Sequence, residues 1–375
     1  MKARDFTIAF SDREQEDAVK EISLKIKSLF PKDIKHLIIL YTPQYHPASI
    51  LKTINLTLKP EQTLGLQAPF LIFEDKIISK GVAACCLNKE TLEIKSPSSK
   101  YEPSKEVQSI LNNFFKKLRG KGYYFFSFVS AQLNLLSYLT EIKLSLGKIF
   151  NFLGAGYVKQ YSSYDPQIAN NTLNDGLTSF AVKGVHMDTL RLEGYAPLGK
   201  PFKITKVAPG RNLLMEIDGQ PAVNIYRHYL EEKFDTFIKN RLFAFYPLGI
   251  KSDGTLRLVK VIESLEDGSL VCLGELKENI RGNIMFLDSD LLFRNVQNKL
   301  LPLAGEEGGL AFIINSLSRK KILKEAAEEE VKIIKKTLGN RFKILGIYSD
   351  YYFFSDNEKG DINAETGNLL LTVWQ

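Results

Sequence analysis

The sequence predicts an α+β protein of two lobes, each a mixed, largely antiparallel sheet flanked by helices. Its 375 residues exceed the roughly 100–200 of one ordinary domain. Asp253–Gly254 separates FAFYPLGI from LRLVKVI, and Asp267–Gly268 separates VKVIES from LVCLGEL. Asp-Gly between β-rich runs is a hairpin signal. Strand, helix and strand pair also occur twice in succession in the first half, which reads as an internal repeat. Prominent antiparallel pairing argues against a purely parallel, doubly wound sheet.

The elements follow in order. DFTIAF (5–10) alternates as a strand, and Ser11 with Glu14 has the spacing of a capping box. Val19, Ile22, Ile26, Leu29 and Phe30 then form the apolar face of a helix. A strong strand (36–43), a helix (48–58) and a strand pair ending in GVAACCL (81–87) complete the first copy. The polar stretch SPSSKYEPSK (96–105) leads into the second. That copy has a helix at 105–118, a strand YYFFSFV (123–129), and a helix with Leu135, Leu139, Ile142, Leu146 and Ile149 on one face. FLGAG (152–156) and strands on either side of Asn174–Gly176 close it.

NLLMEIDGQPAVNIYRHYL (212–230) is a strand, a turn and a helix. Asp218 and Gly219 supply the positive φ of a tight turn, and Pro221 suits a first helical turn. GLAFIINS (309–316) reads as a buried strand and 319–338 as a charged amphipathic helix with Glu328/Lys332 in favourable order. FKILGIYS and NLLLTVW end the chain as strands. The expected domains are 1–200 and 201–375.

Composition narrows the function classes. With 44% hydrophobic and 25% charged residues the chain is of globular type. The uncharged run 122–140 contains Ser, Gln, Asn and Thr, so it reads as a strand followed by a helix and not as a membrane span. Three cysteines cannot build a disulfide framework; they indicate a reducing compartment and a cytoplasmic location. Cys85 and Cys86, in an apolar strand, read as inert thiols. His36, His46, His186 and His228 show no metal-ligand spacing, and no metal or cofactor is expected. Net charge is +7, with basic clusters at 116–121, 318–321 and 332–336. No nucleic-acid motif accompanies them, so they read as solvated surface with no nucleic-acid partner.

No catalytic motif stands out. There is no phosphate loop and no GxSxG elbow. Ser318 and Lys321 form an S-x-x-K by count only, and Asp288 with Asp290 suit a helix cap better than a calcium loop. The residues read as a two-lobed binding protein and not an enzyme.

Several segments resemble one family. PLGKPFKITKVAPGRNLLMEIDGQPAVNIYRHYL (197–230) is similar to the joint between the N- and C-terminal parts of FIST domains. The likeness continues through YPLGI, LRLVKVIESLEDGSLVCLGEL, GGLAFIINSLSRK and GIYSDYYF to Trp374, and more loosely through the first half. The resemblance implies an intracellular sensory module that binds a small, amino-acid-like ligand. With no output domain attached, it implies a signalling protein partner in trans. Arg319, Ser316 and Tyr348 fall on the family's polar positions. Arg319 suits a ligand carboxylate or phosphate, or alternatively a surface or intramolecular salt bridge. Ser316 stands where the family has Cys, Ser318 where it has Gly, and Tyr351–Tyr352 where it has Gly-Glu. Those departures imply a different ligand, or a degenerate pocket on a scaffold that serves protein contacts.

Overall fold

The computed structural model describes residues 5–30, 33–97, 113–130, 135–148, 151–157, 168–173, 176–208, 212–240, 242–252, 255–273, 276–305, 307–355, 360 and 362–375. Its elements fall into three equivalent units and one insertion. The first unit contains β1 (Phe6–Ser11), α1 (Gln15–Leu29), β2 (His36–Tyr41), α2 (Pro47–Thr57), β3 (Gln62–Gln67), the hairpin β4 (Leu71–Phe73) and β5 (Lys76–Ile78), and β6 (Val82–Leu87). The second repeats this order: β7 (Glu93–Lys95), α3 (Phe115–Leu118), β8 (Tyr124–Val129), α4 (Leu135–Leu146), β9 (Phe152–Gly156), β10 (Ile168–Ala169), β11 (Thr172–Leu173) and β12 (Leu177–Lys183). The third opens with β13 (Met187–Leu192).

An insertion follows: β14 (Tyr195–Ala208), β15 (Leu213–Ile217), β16 (Gln220–Pro221), α5 (Asn224–Leu230), α6 (Phe234–Lys239), β17 (Leu248–Ser252), β18 (Thr255–Ser264), β19 (Leu270–Leu273) and β20 (Arg281–Leu287). The third unit then resumes with α7 (Ser289–Leu300), β21 (Leu310–Ser316), α8 (Leu317–Leu323), α9 (Ala326–Leu338), β22 (Lys343–Ser349), β23 (Tyr351–Ser355), β24 (Ile362–Glu365) and β25 (Leu369–Trp374).

Each unit centres on a parallel pair joined through a helical crossover: β2/β3, β8/β9 and β21/β22. An antiparallel strand flanks the first member each time, namely β6, β12 and β25. The opening strand of each unit pairs with the far edge of that flanking strand: β1 with β6, β7 with β12 and β13 with β25. The hairpins are exchanged in a ring. Hairpin β4–β5 joins β22, β10–β11 joins β3, and β23–β24 joins β9. The result is three six-stranded mixed sheets around one core.

Alternation along the strands sorts the side chains. Ile38, Leu40 and Cys85 face the shared core with Phe126, Phe128, Phe312 and Trp374, whereas Leu37, Ile39 and Cys86 face outward under α1 and α2. The insertion closes on itself, since β14 pairs with both β20 and β15 in the order β14-β20-β17-β18-β19-β15. It is a small antiparallel barrel whose interior holds Ile204, Leu214, Val259, Val261 and Cys272.

The α+β expectation with mixed sheets therefore holds; 267–268 joins antiparallel strands, and the strands on either side of 253–254, which lies outside the described residues, are also antiparallel. The expected boundary at 200/201 cuts β14, because the second lobe is an insertion into the third unit and not the C-terminal half. The capping box does not form: Glu14 is the N-cap, and Ser11 ends β1, where its hydroxyl donates to Glu21. Asp218 (φ 51) and Gly219 (φ 74) make a primed hairpin turn between β15 and β16. Pro221 pairs with Glu216 inside that hairpin, and the helix starts later, at Asn224. Asp288 caps α7 by accepting from the Leu291 N–H. The helix expected at 105–118 is described only from Phe115, and residues 105–112 and 174–175 lie outside the described residues. No helix among the described residues is long and apolar enough to cross a membrane.

Candidate functional site

The carboxyl ends of the three parallel pairs meet at one end of the core. The Tyr157 hydroxyl donates to the Gln67 carbonyl of β3 (3.3 Å) and the Tyr348 carbonyl of β22 (3.1 Å). The Asp350 N–H donates to the Gly156 carbonyl of β9 at 3.0 Å. Ligands of open α/β sheets gather outside strand carboxyl ends, where side chains project without a continuing ladder.

Each unit carries a buried hydroxyl there: Thr42, Ser130 and Ser316. In the first two units the backbone zips shut, with Thr42 N–H on the Gly81 carbonyl and Ser130 N–H on the Gly176 carbonyl. In the third the ladder to β25 ends at Ile314–Leu370. Beyond it Ser316 N–H turns to Asn315 Oδ1, and Gly367 N–H donates to Ser316 Oγ at 3.2 Å.

A side-chain network occupies the opening. Asn315 Nδ2 donates to Glu330 Oε2 (3.2 Å) and to the Tyr348 hydroxyl (3.3 Å). Arg319 donates through Nη2 to Glu330 Oε1 and through Nη1 to the Leu192 carbonyl at 2.8 Å. Arg319 and Glu330 side chains are both 0% exposed. They can meet because the helix expected at 319–338 is broken. Lys324 adopts φ 52 between α8 and α9. In one continuous helix, residues 11 apart would lie about 16 Å apart along the axis. Burial holds the Tyr348 phenol well above its ordinary range, with Glu330 adding to the effect.

The barrel covers this end. Along β18, Val259 and Val261 point into the barrel, and Lys260 points at the core. Its ammonium lies 3.5 Å from Asp350 Oδ1, both side chains nearly inaccessible at 2% and 4%. Burial lowers the Lys260 pKa, and Asp350 opposes that shift. The Asp350 carbonyl accepts from Thr366, one residue before Gly367, so the Lys260 and Arg319 groups adjoin.

Three buried polar atoms beside this network have no hydrogen-bond partner among the described residues: Arg319 Nε, the Tyr195 hydroxyl and Asn368 Oδ1; the Tyr351 hydroxyl, also unpartnered, lies against Gly156 on the opposite face of β23. A Cβ on Gly367 would lie 3.1 Å from the Tyr195 oxygen, which puts that phenol beside Ser316's partner. Together they offer N–H and O–H donors and one amide acceptor to a small polar group. Among the described residues no cluster of His, Cys, Asp and Glu could hold a metal ion.

The FIST N domain matches residues 36–220, and the FIST C domain matches residues 222–350. The chain belongs to the FIST family. FIST domains are sensory, signal-transduction domains. No curated protein matches the chain. The junction between the FIST N and FIST C parts falls at β16, so both parts build the barrel, and both contribute strands to the sheet β13-β25-β21-β22-β4-β5.

Within this FIST protein, Ser316, Arg319 and Tyr348 do come together, through Asn315 and Glu330. Sequence reading missed Glu330, Asn315, Tyr195, Lys260 and Asp350. Two of these left a trace. Glu330 lies on the apolar stripe of α9 with Ala327, Val331, Ile334 and Leu338, and Lys260 alternates in phase with Leu256, Leu258 and Ile262. A charge at an apolar phase marks a buried pair. The FLGAG glycines have a packing reason: a Cβ on Gly154 would sit 1.9 Å from the Ser127 carbonyl oxygen, and one on Gly156 would sit 2.4 Å from the Tyr351 hydroxyl.

Proposed function

We propose that this FIST protein is a cytoplasmic sensory module that binds a small, polar, amino-acid-like ligand between the barrel and the three-unit core, and signals to a partner protein in trans. The observation that carries the reading is the set of unpartnered buried atoms at Arg319, Tyr195 and Asn368, with the Tyr195 phenol beside Gly367. Each such atom costs about 1–3 kcal/mol unless something satisfies it. In this reading Arg319 is a positioning residue. Its terminal nitrogens each hold one partner, Leu192 and Glu330, and its Nε–H has none. Ser316 and Tyr348 form the wall of the site. No catalytic role is assigned to any of them.

A thermal-shift screen of amino acids and small organic acids tests this. A ligand at a hundred times its Kd adds about 2.7 kcal/mol of stability. Tyr195→Phe and Asn368→Ala should abolish the shift while leaving the fold intact. If nothing raises the melting temperature at millimolar concentration, ligand sensing loses its support.

The complete burial of the Arg319–Glu330 pair favours a second reading, in which the pocket is degenerate and the protein is an interaction scaffold or adaptor. Affinity purification from the native cell separates the two. A stable partner captured with no ligand response favours the scaffold.

A further inference from the structure

Three basic clusters stand out in the sequence, and the fold treats them unequally. In the second, Arg319 pairs with Glu330, and the Lys320 ammonium lies 4.2 Å from the Phe70 ring centroid. In the third, Lys332 pairs with Glu328 and Lys335 with Glu74. The first, KKLRGK at 116–121, has no such compensation. From Val107 to Tyr164 the sequence carries seven Lys and Arg against one acidic residue, Glu141, a net +6 of the chain's +7.

The structure brings five of these seven, Lys116, Lys117, Arg119, Lys121 and Lys148, into one neighbourhood. α3 buries Phe114, Phe115 and Leu118 and turns Lys116 and Lys117 outward. The Arg119 guanidinium donates to the Lys148 carbonyl at 2.7 Å, which brings the end of α4 beside the 116–121 turn. Lys116, Lys117, Arg119, Lys121 and Lys148 are all exposed, and none has an acidic partner among the described residues. On α4, which packs against α3, Leu144 stands 81% exposed, one turn from Lys148.

We propose that this face docks the protein on an anionic lipid surface, with Lys116, Lys117, Arg119, Lys121 and Lys148 facing the headgroups and Leu144 entering the interface. The chemistry favours lipid over two rivals. Protein interfaces are depleted in Lys and rely on aromatic anchors, yet Phe114, Phe115 and Tyr123 are all buried. Single-stranded nucleic acid needs exposed stacking rings, and duplex needs a groove-filling helix. A lysine-rich patch around one apolar side chain meets the needs of a charged leaflet. This surface is independent of the ligand site.

Co-sedimentation of the full chain with vesicles tests it, comparing equal parts phosphatidylglycerol and phosphatidylcholine with pure phosphatidylcholine. Binding is expected only to the anionic vesicles and should fade as salt shortens the screening length. Each cation near such a surface is worth roughly fivefold in affinity. Lys117→Glu with Lys121→Glu should therefore weaken binding by at least about 25-fold, and Leu144→Ser by about tenfold. These exposed positions should leave the melting temperature unchanged. No anionic preference, or a preference that survives the double reversal, overturns the proposal. So does a patch-dependent association with RNA or an acidic protein while vesicles are ignored.

Discussion

Arg319→Met offers the sharpest test of the buried network. The substitution keeps an unbranched apolar stem and deletes the charge and its donors. Glu330, with a wholly inaccessible side chain, loses its Nη2 donor, and the Leu192 carbonyl loses its Nη1 donor. Asn315 Nδ2 remains on the carboxylate. Hydrogen bonds to charged groups contribute about 1.5–3 kcal/mol each, and breaking a buried pair from one side costs about 3–5 kcal/mol. A loss of about 4 kcal/mol at pH 7 is expected.

Urea unfolding at pH 7 measures the loss. Arg319→Met with Glu330→Leu should recover most of the loss, since a hydrophobic pair of similar volume replaces a buried ion pair at little cost. A single variant within 1 kcal/mol of the parent, or a double variant no more stable than the single one, would refute the reasoning.

Tyr195, Tyr226, Tyr348, Tyr351 and Tyr352 all have phenols pushed upward by burial, so unfolded tyrosines ionise first and stability falls as pH rises above 10. Five such groups remove about 7 kcal/mol per pH unit. Tyrosinate absorbance should then rise in one steep step coincident with unfolding; a gradual titration in a folded protein counts against it. Lys260 acts in the opposite direction, because its lowered pKa favours folding as pH rises, but one group does not offset five. Burial also lifts the Cys86 and Cys272 thiols to about 12 and Cys85 well above its ordinary range, so a thiol reagent should find nothing until denaturant is added. Gly154→Ala should cost at least about 3 kcal/mol, because the new methyl meets backbone at Ser127. Gly219→Ala has open space and only its positive φ to contend with, so about 1 kcal/mol is expected. Denaturation midpoints compare the two glycine variants.

Local chemistry was legible where it depends on neighbours in sequence. The Asp267–Gly268 hairpin, the Asp288 cap, and the succession of β8 and α4 follow from turn residues, capping geometry and periodicity. The repeat was visible twice and not a third time because the barrel, Tyr195–Leu287, separates β13 from α7. The ring of exchanged hairpins was also invisible, since β4, β10 and β23 pair with strands of other units and no local pattern names a distant edge. Ser11 and Glu14 had the spacing of a cap, but pairing of β1 through Ser11 with Val82 took that residue into the sheet. The break at Lys324 had no signature, because positive φ is usually announced by Gly or Asn. Without the break, nothing in the sequence could place Glu330 on Arg319.

The site's position follows from where the repeat departs from its own symmetry. In the first two units the hydroxyl residue after the first parallel strand spends its backbone N–H on a glycine carbonyl, so the backbone ladder closes. In the third unit the ladder stops at Ile314, and Asn315 supplies from its side chain the acceptor that Ser316 N–H would otherwise find on a strand. That opening exposes acceptors and donors which a core cannot leave bare. The broken helix brings Arg319 and Glu330 into it, and the barrel presents Lys260 to Asp350 at its edge. An inserted domain over three closed strand ends would need only apolar contacts. This one meets charges, because the unit it interrupts is the unit whose end is open.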